Sequence, residues 1–359
     1  MQVIETWRAQ VLEAAASKRP LRIRGGGTKD FYGQALVGDI LDTRAYSGIV
    51  DYEPTELVIT ARCGTPLADI EAALAERNQM LAFEPPHFGA GTSSCATFGG
   101  AVACGLSGPR RATSGAVRDF VLGAVLMDGA GQVLTFGGQV MKNVAGYDVS
   151  RLLAGSMGTL GLMLQVSCKV LPRTRREATL RFAMSEIDAL RQVNEWGGMP
   201  LPISATCWHD GVLMLRLSGA TAAVDAALIN LGGDLFPDCA PFWAGVREQT
   251  HAFFAGDAPL WRLSVPSTTS ALVLPGTQLI EWGGALRWLR SDIDAATLRR
   301  TVAASGGHAT LFRGGDKSSG VFQPLAPAIL RIHQRLKASF DPSHIFNPGR
   351  DYDHANQPR

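Results

Sequence analysis

The chain has 359 residues, 46% of them hydrophobic and 18% charged, which is enough for two or three compact domains and too apolar for intrinsic disorder. Its formal net charge of +2, from 34 basic and 32 acidic side chains, gives no electrostatic footprint for nucleic acid and no basic block for a lipid surface. Six scattered cysteines without a C-x-x-C spacing exclude zinc fingers and iron–sulfur clusters held by this chain alone.

The opening residues lack the cationic start and apolar core of an export signal, and no apolar run approaches the ~18 residues of a membrane span. The expectation is a cytoplasmic protein without direct membrane insertion, any peripheral association with the inner membrane having to come through a partner.

Val3, Trp7 and Val11 recur at a four-residue step and predict an opening amphipathic helix ended by Pro20. "LRIR" is then a short strand running into Arg24-Gly25-Gly26-Gly27-Thr28. Three consecutive glycines carry a high ordering cost, so they mark a backbone shape that side chains forbid: a tight turn, or a nest of N–H groups around an anion. "ELVITARCGT" is a β-branched strand, Thr65-Pro66 predicts a helix N-cap with proline at the first position, and "LADIEAALAERN" is the helix.

Residues 85–118 are rich in Gly, Ser, Thr and Pro and show no helical or strand period, so they are expected to form a long functional loop. "DFVLGAVLMDGAGQVLTF" reads as a hairpin turning at Asp128-Gly129-Ala130-Gly131, "GYDVSRLLAG" as a short helix, and "GTLGLMLQVSCKVLP" as a strand. From 177 to 313 strands such as "EATLRFAM", "GVLMLRL", "TQLIEW", "ALRWLR" and "HATLFR" alternate with three helical segments. That alternation predicts an antiparallel sheet with helices on one face; the segment shows no strict internal repeat, and two βαβ-like halves are one arrangement compatible with it. "APAILRIHQRLKASF" is a last helix before the proline-punctuated "DPSHIFNPGRDY".

Neither the G-x-G-x-x-G dinucleotide fingerprint nor a Walker loop is present; Asp30 stands where the third glycine would be. The segments "RIRGGGTKDFYG", "FEPPHFGAGTSSCATFGGAVACGLSGPRR", "VRDFVLGAVLMDGAGQVLTFGG" and "KNVAGYDVSRLLAGSMGTLGLMLQVSCKVLP" resemble, in that order, the FAD-binding domain of the vanillyl-alcohol-oxidase/PCMH flavoproteins. With "FDPSHIFNPGR" the resemblance extends to the FAD-binding subunits of bacterial glycolate oxidases.

The resemblance implies an α+β fold: a two-subdomain PCMH-type FAD-binding domain over 1–174, a ferredoxin-like α+β cap over 175–313, and a C-terminal helix and tail, 314–359, returning to the first domain. It implies that Arg24, Gly25, Gly26, Gly27 and Thr28 hold the FAD pyrophosphate. Pro86, Thr97, Gly99 and Gly100 resemble the second loop, and Gly115 and Val117 the closing loop. Gly158, Gly161, Leu162 and Met163 match the adenine-side turn, with Met157 in the place of the family's Glu. Asn347 resembles a tail residue returning toward the flavin ring. Thr28 stands where covalent relatives carry His, so the FAD is expected to be non-covalent.

The implied reaction is oxidation of glycolate, a small 2-hydroxy acid, to glyoxylate by hydride transfer to flavin, with electrons passed onward. The partners implied are a larger FAD-binding subunit and an iron–sulfur subunit. A structural or relay subunit without turnover of its own is the alternative, and a nicotinamide-dependent reductase of the same fold a more distant one. Substrate oxidation also needs a proton acceptor and a cation for the carboxylate. His308, Arg313, Lys142 and Tyr147 are the candidates. His308 has no second histidine nearby, so the histidine pattern that binds metal in related dehydrogenases is not met and no metal is expected.

Overall fold

The computed structural model describes residues 2–89, 96–138 and 148–352. Helix α1 (Gln2–Ser17) presents Trp7, Val11 and Ala14 to the interior and stops before Pro20, which leads into strand β1 (Leu21–Arg24). β1 pairs in parallel with β2 (Asp39–Asp42), and Leu21 also bridges in parallel to Phe346 of the tail. These elements enclose one core built from Trp7, Val11, Leu41, Ile345 and Phe346.

Chain order continues with β3 (Ile49–Glu53), β4 (Val58–Arg62), α2 (Leu67–Ala75), β5 (Gln79–Met80), α3 (Phe98–Cys104), α4 (Arg111–Ser114), α5 (Val117–Phe120), β6 (Val121–Met127), β7 (Val133–Gly137), α6 (Val149–Leu152), β8 (Leu162–Lys169) and β9 (Leu171–Pro172). Strands β3-β4-β8-β6-β7 form an antiparallel sheet in that order. One face packs under α2, α3 and α5 through Ile70, Leu74, Phe98 and Phe120. Leu162 and Leu164 face the other way and join the core formed by α1, β1, β2 and the tail. The β6–β7 hairpin turns at Asp128, whose carboxylate accepts from the backbone N–H of Ala130 (2.9 Å) and Gln132 (2.8 Å).

Two local expectations are corrected. Residues 85–118 are not structureless: Thr97 caps α3 by accepting from Gly100 N–H, and Gly105, at φ 66°, ends it. Thr65 does not cap α2; its hydroxyl bonds Gly48 and Arg62 instead, and Pro66 directly precedes the helix.

The remaining elements are β10 (Arg176–Ala183), α7 (Glu186–Gly197), β11 (Ile203–His209), β12 (Val212–Gly219), α8 (Thr221–Leu231), β13 (Asp234–Leu235), α9 (Ala240–Glu248), β14 (Leu260–Ser264), β15 (Thr277–Glu281), β16 (Leu286–Arg290), α10 (Ala295–Ala304), β17 (His308–Arg313) and α11 (Pro327–Phe340). Eight strands make one antiparallel sheet, ordered β13-β10-β12-β11-β15-β16-β14-β17. Its halves carry the same order: each places the first strand between the fourth and the third, with the second outermost, and the two second strands, β11 and β15, pair to join them. This is the ferredoxin-like arrangement, twice. In the second half the segment between β14 and β15 forms no helix.

Alternate residues of each strand divide the faces. Leu213, Leu215 and Leu217 pack under α7 and α8, and Leu263, Leu289 and Leu311 under α10. The opposite face, with Met214, Trp288 and Phe312, meets α9 and residues Tyr32, Leu106 and Met157 of the first half of the chain. Helices therefore occupy both faces, α9 being the one the sequence pattern does not reveal.

Candidate functional site

The glycine loop after β1 lies against the start of α3. A Cβ added to Gly25 would sit 2.2 Å from Thr97 Oγ1, and one added to Gly99 would sit 2.4 Å from Cys63 Cβ. Both glycines are therefore set by close approach. Gly27 has φ 74° and lies beneath the Arg24 guanidinium, so a side chain there would be strained by the backbone and would push the guanidinium aside.

Asn347 closes the loop from behind. Its Oδ1 accepts from Ile23 N–H at 2.8 Å, and its Nδ2 donates to the Met157 carbonyl at 2.7 Å. The tail thus ties β1 to the Gly158 turn, where an added Cβ would meet Asn347 Nδ2 at 2.7 Å.

These pieces line one cleft of about 90 Å³: Arg24 to Asp30, Thr97, Gly100, Cys104, Met157, Asn347 and Arg350 among them. Charge there is unbalanced. Arg24, Lys29 and Arg350 line it against the single carboxylate of Asp30, which accepts from Arg24 Nε at 2.9 Å and also pairs with Arg22. Lys29 is buried, reaching Thr28 Oγ1 at 3.3 Å and the His87 carbonyl at 3.4 Å; burial lowers its ammonium pKa, partly offset by Cys104 and Glu248. Arg350 donates to the Asp30 carbonyl at 2.9 Å and is shifted down by burial. A second cavity of about 310 Å³ shares Cys104 and Met157 with the first and continues along Ser156, Thr159 and Leu160.

Loop backbone, hydroxyls and excess positive charge are the donor set that a dinucleotide pyrophosphate requires. The residues present fit that group.

Of the sequence-predicted positions, Arg24 to Thr28, Thr97, Gly100 and Asn347 converge on this cleft, and Gly99 and Gly158 support it from just outside. Val117 is buried in the core under α2 and α3, and Met163 lies in the same core. Leu162 faces the core around Trp7 and Phe346, Gly115 caps α4, and Gly161 has φ 153° beside Met127. None of these five lines the cleft. Pro86 faces a different cavity, at the junction with the eight-stranded sheet. Lys142 and Tyr147 lie outside the described residues.

His308 and Arg313 occupy opposite ends of β17, about 17 Å apart at the usual rise per residue. His308 is exposed at the strand start, its pKa lowered by desolvation and by Arg262. Arg313 donates to Gln249 Oε1 at 2.9 Å and stacks 4.6 Å from the Phe31 ring centroid. One small substrate cannot touch both.

The junction itself carries charges that sequence reasoning missed. Glu84 holds two arginines: Arg216 Nη2 lies 2.9 Å from its Oε1, and Arg110 donates its backbone N–H at 2.8 Å. Arg110 also pairs with Glu177 at 2.8 Å. Glu281 is buried with one hydrogen bond, from Trp288 Nε1 at 2.8 Å, and its carboxyl is pushed up to about 7, chiefly by desolvation. The sequence "TQLIEW" signalled only a strand. Arg350 and Lys29 are the overlooked members of the cleft, each adjacent to a segment already singled out.

Residues 2–137 match the FAD binding domain family. The chain is 51% identical over 343 residues to glycolate oxidase subunit GlcE of Escherichia coli (strain K12), covering 96% of this chain and 95% of that protein. It is 30% identical over 175 residues to glycolate oxidase subunit GlcD of Bacillus subtilis (strain 168), covering 48% of this chain and 36% of that protein. The solved structure of an alkyldihydroxyacetonephosphate synthase superposes with a TM-score of 0.63 at 13% identity, covering 95% of this chain and 74% of that one, a likeness of fold. No helix among the described residues is long and apolar enough to cross a membrane. With an FAD binding domain at its start and near-complete coverage of a relative at half identity, the chain belongs to the glycolate oxidase subunit GlcE family of FAD-dependent oxidoreductases.

Proposed function

We propose that this chain is the flavin-holding GlcE-type subunit of a complex that oxidises glycolate to glyoxylate. The observation that carries the reading is the cleft under the glycine loop, where three basic side chains face one carboxylate. That leaves an excess of two positive charges, which a diphosphate would neutralise. In the proposal the backbone of Gly25 to Thr28, with Thr97, Arg24, Lys29 and Arg350, holds the pyrophosphate without a covalent bond. The adenosine half lies along Ser156 to Leu160, and the remaining family-matched positions support the surrounding backbone.

Bound FAD supplies the hydride-acceptor chemistry. The chain's own contribution is to bind and orient the cofactor, exclude water and hold the substrate at the cap junction. Lys142, Tyr147 and Arg313 remain proposed substrate or proton contacts; His308, exposed at the far end of β17, is placed less well for that task. A larger flavin subunit and an iron–sulfur subunit are the proposed partners, since the relatives are named as separate glycolate oxidase subunits.

The division into 1–174, 175–313 and 314–359 belongs to the same proposal. Residues 172–177 are exposed where the first two units meet, so brief trypsin treatment is expected to cut there first; cuts elsewhere would move that boundary.

The test is a visible spectrum of the purified chain, then anaerobic glycolate, alone and with the co-expressed partner subunits. Flavin bound and bleached by glycolate supports the reading. Flavin bound but reduced only with partners favours a relay role. A colourless protein that takes up no FAD sinks it.

A further inference from the structure

Arg262, on β14, points from the eight-stranded sheet toward the first half of the chain and donates no hydrogen bond among the described residues. Among the described residues no carboxylate lies within ion-pair range of it; its ring contact is Trp282, 5.3 Å from the guanidinium carbon. Arg111, on α4, stacks on the same indole at 4.5 Å; among the described residues no carboxylate is within ion-pair range of it, and Asp119 acts on it only from farther off. Two guanidinium groups on one indole repel each other, and an anion beside them relieves that repulsion.

Arg262 and Glu281 line a common cavity with Pro86, Trp288 and Phe312. Glu281 carries one hydrogen bond, from Trp288, so its carboxyl retains unused capacity at the cavity. The cavity holds about 20 Å³, room for one water. Trp282 lines both it and an open groove of about 590 Å³ that also carries Arg111 and Thr206. Trp282 has φ 55°, a left-handed conformation rare for a bulky residue, and two glycines of positive φ follow it. Strain of this kind persists where the surroundings enforce it and clusters at ligand sites. The indole, whose Nε1 donates to the Gly108 carbonyl at 3.0 Å, stands between groove and cavity, so a ligand entering from the groove has to displace it.

We propose that Arg262, Glu281 and Trp282 form a site for the carboxylate of a small 2-hydroxy or 2-oxo acid, entered from the Arg111 groove. Arg262 supplies the fork for the carboxylate, and Glu281 in its neutral form donates a hydrogen bond to the same ligand. Glu84 and Cys207 face Glu281 and oppose its ionisation or are opposed by it; Arg262 and Arg216 favour ionisation. Because an acid titrating at about 7 must hold its proton to donate, affinity falls above pH 7, by up to tenfold per pH unit.

The inference rests on the flavoprotein reading, and the experiment separates the two. Flavin-loaded protein is titrated calorimetrically with oxamate, a monocarboxylate that cannot reduce flavin, between pH 6 and 8.5, with FAD content measured for every variant. The expected result is saturable binding at one site that weakens above pH 7. Arg262→Gln weakens it at least tenfold, Arg262→Lys less. Glu281→Gln binds at pH 6 and loses the pH dependence. Absence of saturable binding to the flavin-loaded wild type overturns the site while leaving the flavin reading intact, as does wild-type affinity in Arg262→Gln. Loss of FAD from the wild type itself instead removes the reading beneath it.

Discussion

Gly25 has no freedom to be another residue while Thr97 stands where it does. Alanine there would force the glycine loop away from α3, since the added atom falls 2.2 Å from a hydroxyl oxygen. Gly25→Ala is therefore expected to lower bound FAD per chain at least tenfold while leaving the far-UV circular dichroism intact, read from flavin absorbance against protein. Such positions were legible in the sequence because a run of glycines states a backbone requirement directly. Glu281 was not legible, because its behaviour comes from what the fold puts around it. Its carboxyl rises from an ordinary 4.5 to about 7. Below pH 4.5 it is protonated whether folded or unfolded and has no effect. Between 4.5 and 7 the unfolded chain gives up the proton and the folded one keeps it, so stability falls as pH rises; above 7 the full penalty of about 3 kcal/mol applies. Glu281→Gln does not titrate. Its stability relative to wild type should therefore improve from pH 4 to pH 8 by up to that amount in urea unfolding.

The strongly periodic elements, α1, α2, α7, α8 and α10, and the β6–β7 hairpin could be read from the sequence because their patterns span two or more turns or a full alternation. Helix α3 could not: it has seven residues, begins Phe-Gly-Gly, and offers too few apolar positions to show a period. What marks it is its ends, a Thr97 cap and a left-handed Gly105, signals easily lost among other glycines and threonines. Thr97→Val keeps the shape and removes the acceptor for Gly100 N–H. It should cost about 1 kcal/mol in denaturant unfolding and loosen the glycine loop that rests on it. Strands β11 and β14 were missed because both faces are largely buried, so neither shows a clean polar–apolar alternation. The repeat of strand order across the eight-stranded sheet emerges only from pairing, which no single segment encodes.

At the scale of the molecule, the first half of the chain and the eight-stranded sheet are joined by the Glu84 network and by aromatic packing of Phe31, Tyr32 and Phe88 around Phe312. Arg216 is 3% exposed, so removing its carboxylate leaves a buried guanidinium unpaired. Glu84→Ala is expected to cost about 3–5 kcal/mol, measured as a fall in the urea midpoint, with the eight-stranded sheet and the FAD binding domain losing their coupling. The latch formed by Asn347 reaches further. It joins Ile23 to a residue 324 positions later in the chain. A contact of such separation forms late, after the local helices and hairpins have closed. A chain still lacking residue 347 has no such tie between Ile23 and the Met157 carbonyl, so versions truncated before it are expected to hold FAD more weakly than the full chain.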